Sequence, residues 1–320
     1  MLKPIVMTPA WRHGAMTPWG GEKLKDLYQK DSPGERAGEC LEMSAIPGLE
    51  SRDEQGRTLN ELIAQHGSAL IGRKVSLPFP LLLKLIDAKD QLSVQVHPGD
   101  EYAHEHHGKL GKNEAWVILH AEPGAQLTVG LLEGISKPGL EAASLAGPDV
   151  EGLLRRVYVQ PGDVFYIPAG TVHAIGGGLV LYEIQQSSDV TYRLYDWGRV
   201  DKEGKGRELH LDHSLAVVDL EGRPLPALPS LIEDDETGKW ERMLDTPYFQ
   251  LDRLTDCRQL RLQPDPDRFS VLTAFSPMTL AYEGGDVGLQ PGQTALLPAD
   301  GYPLQVTGAS ALVARPAIPD

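Results

Sequence analysis

The sequence predicts a mainly β protein: a small antiparallel barrel of the jelly-roll type with a few helices, followed by a second, smaller C-terminal β-domain. Three observations support this fold class. The 320 residues include 34 glycines and 25 prolines, which favours many short strands joined by turns. Between Gly162 and His173, a glycine turn, a short apolar segment and a Pro-x-Gly corner precede a histidine. Strand-like segments then resume beyond a proline-rich stretch at residues 222–229.

The segment Gly162-Asp-Val-Phe-Tyr-Ile-Pro168-Ala-Gly170-Thr-Val-His173 is the most informative part of the chain. The turn at Gly162 leads into a strand over Val164–Ile167, and the Pro-Ala-Gly corner ends that strand. Because side chains alternate along a strand, the fixed distance from the corner to His173 directs the imidazole into the barrel interior. A histidine inside a barrel indicates a metal site.

Hydrophobic spacing predicts the other elements that precede the proline-rich stretch. Residues 58–71 carry apolar side chains at helical intervals and predict a helix. Helical turns are also expected within residues 134–156, over one end of the barrel. Short apolar segments between turns predict further strands at residues 94–96, 116–119, 127–129, 157–159 and 179–184.

The stretch at residues 222–229 contains three prolines and predicts a linker. We therefore expect a metal-binding catalytic domain with small helical segments at residues 1–221. Residues 230–320 are expected to form a β-sandwich or barrel-like domain that lacks the metal ligands.

A short internal similarity supports a barrel-like second domain. Pro291-Gly-Gln-Thr-Ala-Leu-Leu-Pro298 repeats Pro161-Gly-Asp-Val-Phe-Tyr-Ile-Pro168 at an offset of 130 residues, and Pro303 then stands at the position of His173. A common turn–strand–turn pattern explains so short a match about as well.

Composition narrows the classes of function. A net charge of −15 argues against nucleic acid or an anionic membrane as a partner, and requires a local basic cluster for any anionic substrate. No apolar run approaches the ~20 residues of a membrane span, and the N-terminal sequence has no signal-peptide core. Cys40 and Cys257 are too few for a disulfide framework, so a cytoplasmic location is expected.

Four residues form a candidate metal site. In Leu92-Ser-Val-Gln-Val-His-Pro98, strand alternation places Gln95 and His97 on one face, and an inward pair of this kind is costly without a partner such as a metal. Glu114 opens the next apolar strand, and His173 completes the set. Two imidazoles, a carboxylate and an amide oxygen suit zinc first, then Mn, Co or Fe, so we expect one zinc ion per chain.

A second group of histidines competes with this site. His104, His106 and His107 lie in Asp100-Glu-Tyr-Ala-His-Glu-His-His107, which is typical of a solvated surface turn and does not favour a second metal. His210 and His213 have no comparable sequence context and are interpreted as structural.

These motifs together resemble a known family. The segment at residues 162–173 is similar to the second conserved motif of cupins, with Gly177 where cupins usually have Asn. More narrowly, the chain resembles type I phosphomannose isomerases of the short bacterial form, in which Gln95 replaces the first histidine of the usual cupin pair. The matching blocks run in family order through about residue 200: Pro18-Trp-Gly-Gly21, Phe79-Pro-Leu-Leu-Leu-Lys84-Leu-Ile-Asp-Ala88, Leu92-Ser-Val-Gln-Val-His-Pro98, Glu114-Ala-Trp116, Ile167-Pro-Ala-Gly-Thr-Val-His173-Ala, Tyr182-Glu-Ile-Gln-Gln-Ser-Ser-Asp189 and Tyr192-Arg193.

The resemblance implies interconversion of mannose 6-phosphate and fructose 6-phosphate through a cis-enediol, with a sugar phosphate as the small-molecule partner. It places Arg193 in the active site, where a fixed guanidinium could stabilise an enediolate or hold substrate. Glu183 and Asp189 are candidates for proton transfer or for orienting Arg193, and a polar rim role for them is equally open.

For the phosphate, Lys84 and Ser93 match positions that the family uses. Arg199 stands where many members have Lys and could form a bidentate clamp or lie at the surface. Lys84 lies between Leu83 and Leu85 in an apolar segment, where a lysine normally needs an anionic partner.

Two functions from other classes are compatible with the same residues. A cupin dioxygenase would use iron at the same four ligands and would depend on oxygen. A sugar-phosphate sensor would bind its ligand without turnover, which the presence of Glu183, Asp189 and Arg193 beside the metal ligands disfavours.

Overall fold

The computed structural model describes residues 1–34 and 36–319. Its strands, numbered in chain order, are β1 Ile5–Thr8, β2 Ala10–His13, β3 Ala37–Met43, β4 Arg52–Asp53, β5 Leu81–Ala88, β6 Val94–Val96, β7 Glu114–Ala121, β8 Gln126–Leu131, β9 Leu154–Tyr158, β10 Val164–Ile167, β11 His173–Ile175, β12 Leu179–Gln186, β13 Tyr192–Tyr195, β14 Ser230–Asp235, β15 Gly238–Asp245, β16 Phe249–Leu262, β17 Ser270–Ala274, β18 Met278–Tyr282, β19 Gly285–Leu289, β20 Thr294–Leu297 and β21 Leu304–Pro316. The α-helices are α1 Lys23–Tyr28, α2 Leu59–His66, α3 Ser68–Ile71, α4 Asp100–His107, α5 Lys137–Ala146 and α6 Leu211–Val217, and 3₁₀ turns span Gly14–Met16 and Pro148–Leu153. Across the described ranges, no helix has the length and apolarity that a membrane crossing requires.

The strands form three sheets with antiparallel pairing, which confirms the mainly β prediction. One sheet has the order β10–β7–β12–β5–β3–β2, and a second has the order β13–β6–β11–β8–β9. The third has the order β14–β15–β16–β21–β17–β20–β1–β4, with β18 joined to β21 and β19 joined to β18.

The six-stranded sheet lies between two apolar layers, so its strands are apolar on both faces. Along β5, Leu81, Leu83 and Leu85 pack in a cluster that includes α2 and the strands β15–β17. On the opposite face, Ile86 and Ala88 pack in a cluster with the five-stranded sheet. The two sheets therefore form a sandwich whose interior receives every second residue of β5, β7 and β12.

The five-stranded sheet has its own second layer. Val94 and Val96 of β6 face away from the sandwich interior and pack with Leu140 of α5 and with partly buried residues of α6. This packing fixes the orientation of β6, because burial of Val94 and Val96 requires Gln95 to point to the opposite face.

The corner that precedes His173 needs its glycine. Gly170 has a φ of +88°, and a Cβ there would lie 3.0 Å from the carbonyl oxygen of Val217. Its amide donates to the carbonyl oxygen of His97 at 2.8 Å. The corner therefore links the two histidine-bearing segments at a position that favours glycine.

Two helix predictions differ from the structure. The helix expected at residues 58–71 is confirmed but divides at Gly67 into α2 and α3, and Thr58 caps α2 in a reciprocal pair with Glu61. The surface turn expected around the histidine run is wrong, because residues 100–107 form α4. Acidic residues in its first turn, histidines in its last turn and Gly108 at its left-handed end all favour a helix there.

The C-terminal half contains the strand expected from the internal similarity. β20 (Thr294–Leu297) lies 130 residues after β10 (Val164–Ile167), and each strand has four residues. β20 pairs with β17 and also with β1, whose neighbour is β4. β1 and β4 thus complete the sheet formed by residues beyond 230. The proposed division into two domains at residues 222–229 stays a prediction.

Candidate metal centre and active site

Three of the predicted metal ligands come together between the two sheets of the sandwich. His97 follows β6, His173 begins β11 and Glu114 begins β7, so the five-stranded sheet supplies the imidazoles and the six-stranded sheet supplies the carboxylate. One potential ligand atom of each residue lies within 4.8 Å of the others, and all three side chains are buried. Within residues 1–34 and 36–319, this is the one group of three or more His, Cys, Asp or Glu residues that meets this distance.

Backbone carbonyls orient both imidazoles. His97 Nδ1 lies 3.0 Å from the carbonyl oxygen of Val190, and His173 Nδ1 lies 2.8 Å from that of Thr171. These contacts leave each Nε2 facing Glu114, at 3.5 Å for His97 and 3.3 Å for His173. Second contacts of this kind commonly fix the tautomer of metal-binding histidines.

The polar atoms at the centre fit a divalent cation. His173 Nε2 and Glu114 Oε1 are buried, and neither makes a hydrogen bond within the described part of the chain. Burying such groups without a partner is costly, and a cation would satisfy both of them.

Electrostatics keep the three residues in the protonation states that bind metal. Burial, assisted by the Lys112 charge, lowers the pKa of His97 to about 3. Burial also lowers the pKa of His173. Burial alone would raise the pKa of Glu114, but the positive charge of Lys112 holds it well below its ordinary value. The imidazoles are therefore neutral and the carboxylate ionised near neutral pH.

Gln95, the fourth predicted ligand, lies in a row of side chains across the five-stranded sheet. It pairs with His173 on one neighbouring strand and with Arg193 on the other. Residues opposite each other on adjacent strands share a face, so all three point into the sandwich. This row places Gln95 beside His173. Direct ligation of a metal by Gln95 stays a prediction.

Lys112 is a site residue that the sequence analysis missed. Its ammonium lies 2.7 Å from Glu114 Oε2 and 2.8 Å from His97 Nε2, and the side chain is buried. That contact uses the same His97 lone pair that a metal needs, so a bound cation and this contact exclude each other. Lys112 precedes β7, so strand alternation gave no sequence signal for it.

A cavity of about 490 Å³ opens beside these residues. Its walls include six of the residues predicted for catalysis, substrate binding or metal binding, together with Lys112 and further charged groups. The predicted residues on the wall are Lys84, Ser93, Gln95, Glu183, Asp189 and Arg193.

A chain of alternating charges crosses the six-stranded sheet at the cavity wall. Lys84 Nζ lies 2.8 Å from Glu183 Oε1 and 3.5 Å from Glu39 Oε2, and Arg12 lies 3.1 Å from Glu39. Trp116 Nε1 donates to Glu183 Oε2 at 2.9 Å. Burial alone would lower the pKa of Lys84, but Glu183 and Glu39 raise it. Lys84 therefore has two anionic partners, Glu183 and Glu39, where the sequence predicted that it needs one.

Asp189 and Arg193 lie nearer the opening of the cavity. Asp189 is partly exposed and forms an ion pair with Lys109 at 2.6 Å. Burial alone would raise the pKa of Asp189, but the Lys109 hydrogen bond lowers it. Arg193 donates to the carbonyl oxygen of Glu208 at 2.7 Å, so a backbone carbonyl orients this guanidinium.

Arg199 lies behind the cavity wall. Its guanidinium forms an ion pair with Asp196 and donates to the carbonyl oxygen of Gln91 at 2.6 Å. Arg207, which the sequence analysis did not select, shares Asp196 and lines the cavity. A direct phosphate contact by Arg199 stays a prediction.

The second histidine group brings together residues from α4 and α6. His107 Nε2 lies 2.7 Å from the hydroxyl of Tyr192, and His213 Nδ1 lies 2.9 Å from that of Tyr102. The rings of His106 and His213 are 5.8 Å apart between centroids. Helix and strand packing therefore explains His213, which was interpreted as structural.

Two facing antiparallel sheets that enclose two histidines and a glutamate define a β-sandwich protein with a candidate metal centre. The sequence profile of phosphomannose isomerase type I, catalytic domain, matches residues 14–122. The chain is 38% identical to a mannose-6-phosphate isomerase of Streptococcus mutans over 88% of each chain. It is 43% identical to mannose-6-phosphate isomerase ManA of Bacillus subtilis over 69% of this chain and 70% of that protein.

A crystal structure of the mannose 6-phosphate isomerase from Bacillus subtilis has the same architecture. It is similar with a TM-score of 0.90 at 32% identity, over 98% of this chain and 99% of that one. The chain belongs to the type I phosphomannose isomerase family, which confirms the resemblance seen in the sequence.

Proposed function

We propose that this chain is a metal-dependent aldose–ketose isomerase that interconverts mannose 6-phosphate and fructose 6-phosphate. The observation that carries the proposal is the buried group of His97, Glu114 and His173 beside a charged cavity. Family membership supports the same substrate, since the curated relatives carry the name mannose-6-phosphate isomerase.

The metal is proposed to be zinc, one ion per chain, held by His97, Glu114, His173 and Gln95. Mixed nitrogen and oxygen ligation suits zinc, and the imidazole, carboxylate and amide groups provide it. When bound, the cation supplies Lewis-acid polarisation of sugar oxygens without redox change.

The proton moved between C1 and C2 needs a group that can accept and return it. Glu183 and Asp189 are the proposed candidates because both carboxylates line the cavity. Glu183 is the more buried of the two, and it is fixed by Trp116 and Lys84, whereas Asp189 is paired with Lys109 near the opening. The buried ammonium of Lys112 is proposed to supply positive charge beside Glu114 and not to accept the proton.

Arg193 is proposed to stabilise the enediolate. Its place in the row with Gln95 and His173 supports this role, because the row puts a fixed positive charge on the same sheet face as the metal ligands. A charge that favours the enediolate over the neutral sugar lowers the barrier by binding the transition state more tightly.

For the phosphate, we propose contacts from Lys84 and Ser93, which both line the cavity. Arg199 is proposed to support this site by holding Asp196 in place through their ion pair.

A coupled assay for fructose 6-phosphate, run with metal analysis of the same preparation, tests the proposal. We expect turnover of mannose 6-phosphate that is equal with and without oxygen and is lost on chelation. His97→Ala is expected to lose both metal and activity. His120→Ala, a partly exposed histidine at the far end of β7, is the matched control and should keep both. Binding without turnover by metal-loaded protein, or consumption of oxygen, would contradict the proposal.

A further inference from the structure

Three arginines surround one aspartate at the cavity edge. Asp196 is buried and forms ion pairs with both Arg199 and Arg207. Arg193 belongs to the row formed with Gln95 and His173. It donates to the carbonyl oxygen of Glu208, which is next to Arg207 in the chain. We call Arg193, Asp196, Arg199 and Arg207 the arginine cluster.

On one side of the arginine cluster, contacts of Arg199 and the neighbouring Trp197 hold the loop that follows β13 in place. Arg199 uses Nε and Nη2 on Asp196 and Nη1 on the carbonyl oxygen of Gln91. Trp197, held at a φ of +58°, donates to the carbonyl oxygen of Leu92 at 2.6 Å. A non-glycine residue in this conformation is maintained by its surroundings. Both contacts attach the loop to the segment that leads directly into Ser93.

The other side faces the cavity with hydrogen-bonding capacity left over. Arg207 uses Nε and Nη2 on Asp196, and its Nη1 makes no hydrogen bond to any described residue. Arg193 Nε is buried and also has no partner in the part of the chain that the structure describes. Both side chains line the cavity, as does Ser93.

Charge favours this side of the cavity for an anion. Around Lys84 the charges cancel, because Lys84 and Arg12 face Glu183 and Glu39. In the arginine cluster, three guanidinium groups face one buried carboxylate, with the exposed Glu208 as the next acidic neighbour. Burial lowers the pKa of Arg193, and the positive charge of Arg207 lowers it further. An anion at this position would relieve that repulsion.

We propose that Arg207 directly binds the substrate's phosphate group, with Asp196 and Arg199 as positioning residues that hold its guanidinium against the cavity. A planar guanidinium with donors to spare suits a phosphate oxygen, and its fork on Asp196 fixes its orientation. The inference rests on the proposed function for the identity of the sugar, but binding of phosphate itself does not depend on turnover.

The experiment compares Arg207→Met, Arg207→Lys and Arg199→Lys with the parent in the full-length, metal-loaded protein. Inorganic phosphate is the probe, measured by calorimetry and as a competitive inhibitor of mannose 6-phosphate turnover. We expect Arg207→Met to weaken phosphate binding and raise KM by ~10- to 100-fold, the range for one charge-assisted hydrogen bond, with kcat changed much less. Arg156→Met, an exposed arginine of β9 paired with Glu151, is the matched control and should match the parent.

The lysine variants keep the test decisive if Arg207→Met does not fold. Arg207→Lys keeps the charge but loses the fork, so it should weaken phosphate binding more than Arg199→Lys does. Phosphate binding within twofold of the parent in both Arg207 variants would overturn the inference, as would a larger loss in Arg199→Lys. If parental protein binds phosphate through Arg207 but does not turn over mannose 6-phosphate, the proposed function fails and the inference stands.

Discussion

Removal of the positive charge of Lys84 is expected to destabilise the fold, and the burial of its ion pair sets the size of the effect. Lys84 Nζ lies 2.8 Å from Glu183 Oε1, and both side chains are about 95% buried, with exposures of 5% and 4%. Lys84→Met retains most of the aliphatic stem, so the change removes charge while leaving the packing nearly filled. Glu183 then keeps its hydrogen bond from Trp116, and Glu39 keeps its ion pair with Arg12.

Lys84→Met is expected to cost about 3–5 kcal/mol of stability at pH 7, the typical cost of breaking a buried ion pair and leaving one charge without its partner.

Urea unfolding of metal-loaded protein at pH 7, followed by tryptophan fluorescence, measures this cost. Lys84→Met/Glu183→Gln is the matched variant, because glutamine still accepts from Trp116 and carries no charge. It should recover about 2 kcal/mol or more of the loss at pH 7, as coupled neighbours do. A cost below about 1 kcal/mol at pH 7, the range of an exposed ion pair, would refute the reasoning.

Three further predictions concern the metal, the chemistry and a surface histidine. The double substitution His97→Ala/His173→Ala should abolish binding of the one divalent ion per chain that elemental analysis should find in the parent; unchanged occupancy would contradict the site. Arg193→Ala should lower kcat at least ~100-fold while metal content and Tm stay near the parental values, and near-parental turnover would remove Arg193 from the mechanism. The pKa of His107 should lie below the ordinary value of 6.5 by NMR titration, because burial and the neighbouring His213 disfavour its charged form. His213→Asn should raise that pKa, and an unchanged titration would exclude the coupling.

The metal site was predictable from sequence because its signals are local. His97 and Gln95 share a strand face by alternation, and the corner before His173 is recognisable from its Pro-x-Gly pattern. Glu114 could be chosen since it opens an apolar strand. Lys112 was missed because it lies in a short polar stretch after Gly111 that has no periodicity, although the structure buries it.

Other features depend on contacts that local patterns do not encode. Arg199 follows Arg193 by six positions and Arg207 follows Arg199 by eight, but no spacing within an irregular loop tells which guanidinium faces the cavity. Long-range strand pairing is similar: no property of residues 5–8 indicates that one of their two partner strands is the distant β20. In contrast, α4 had readable signals in its acidic start and Gly108, which the histidine run obscured.

The pairing of β1 with β20 also affects how the protein is made. β1 can pair with the nearby β4 early, but on its other edge Ile5 must wait for Leu296, about 290 residues later in the chain. At ~5–20 residues per second of synthesis, this wait lasts about 15 to 60 s. During that time the apolar face that β5 presents to the C-terminal layer is uncovered. Production of this protein should therefore be sensitive to chaperone supply and translation speed, even though the finished fold buries that face completely.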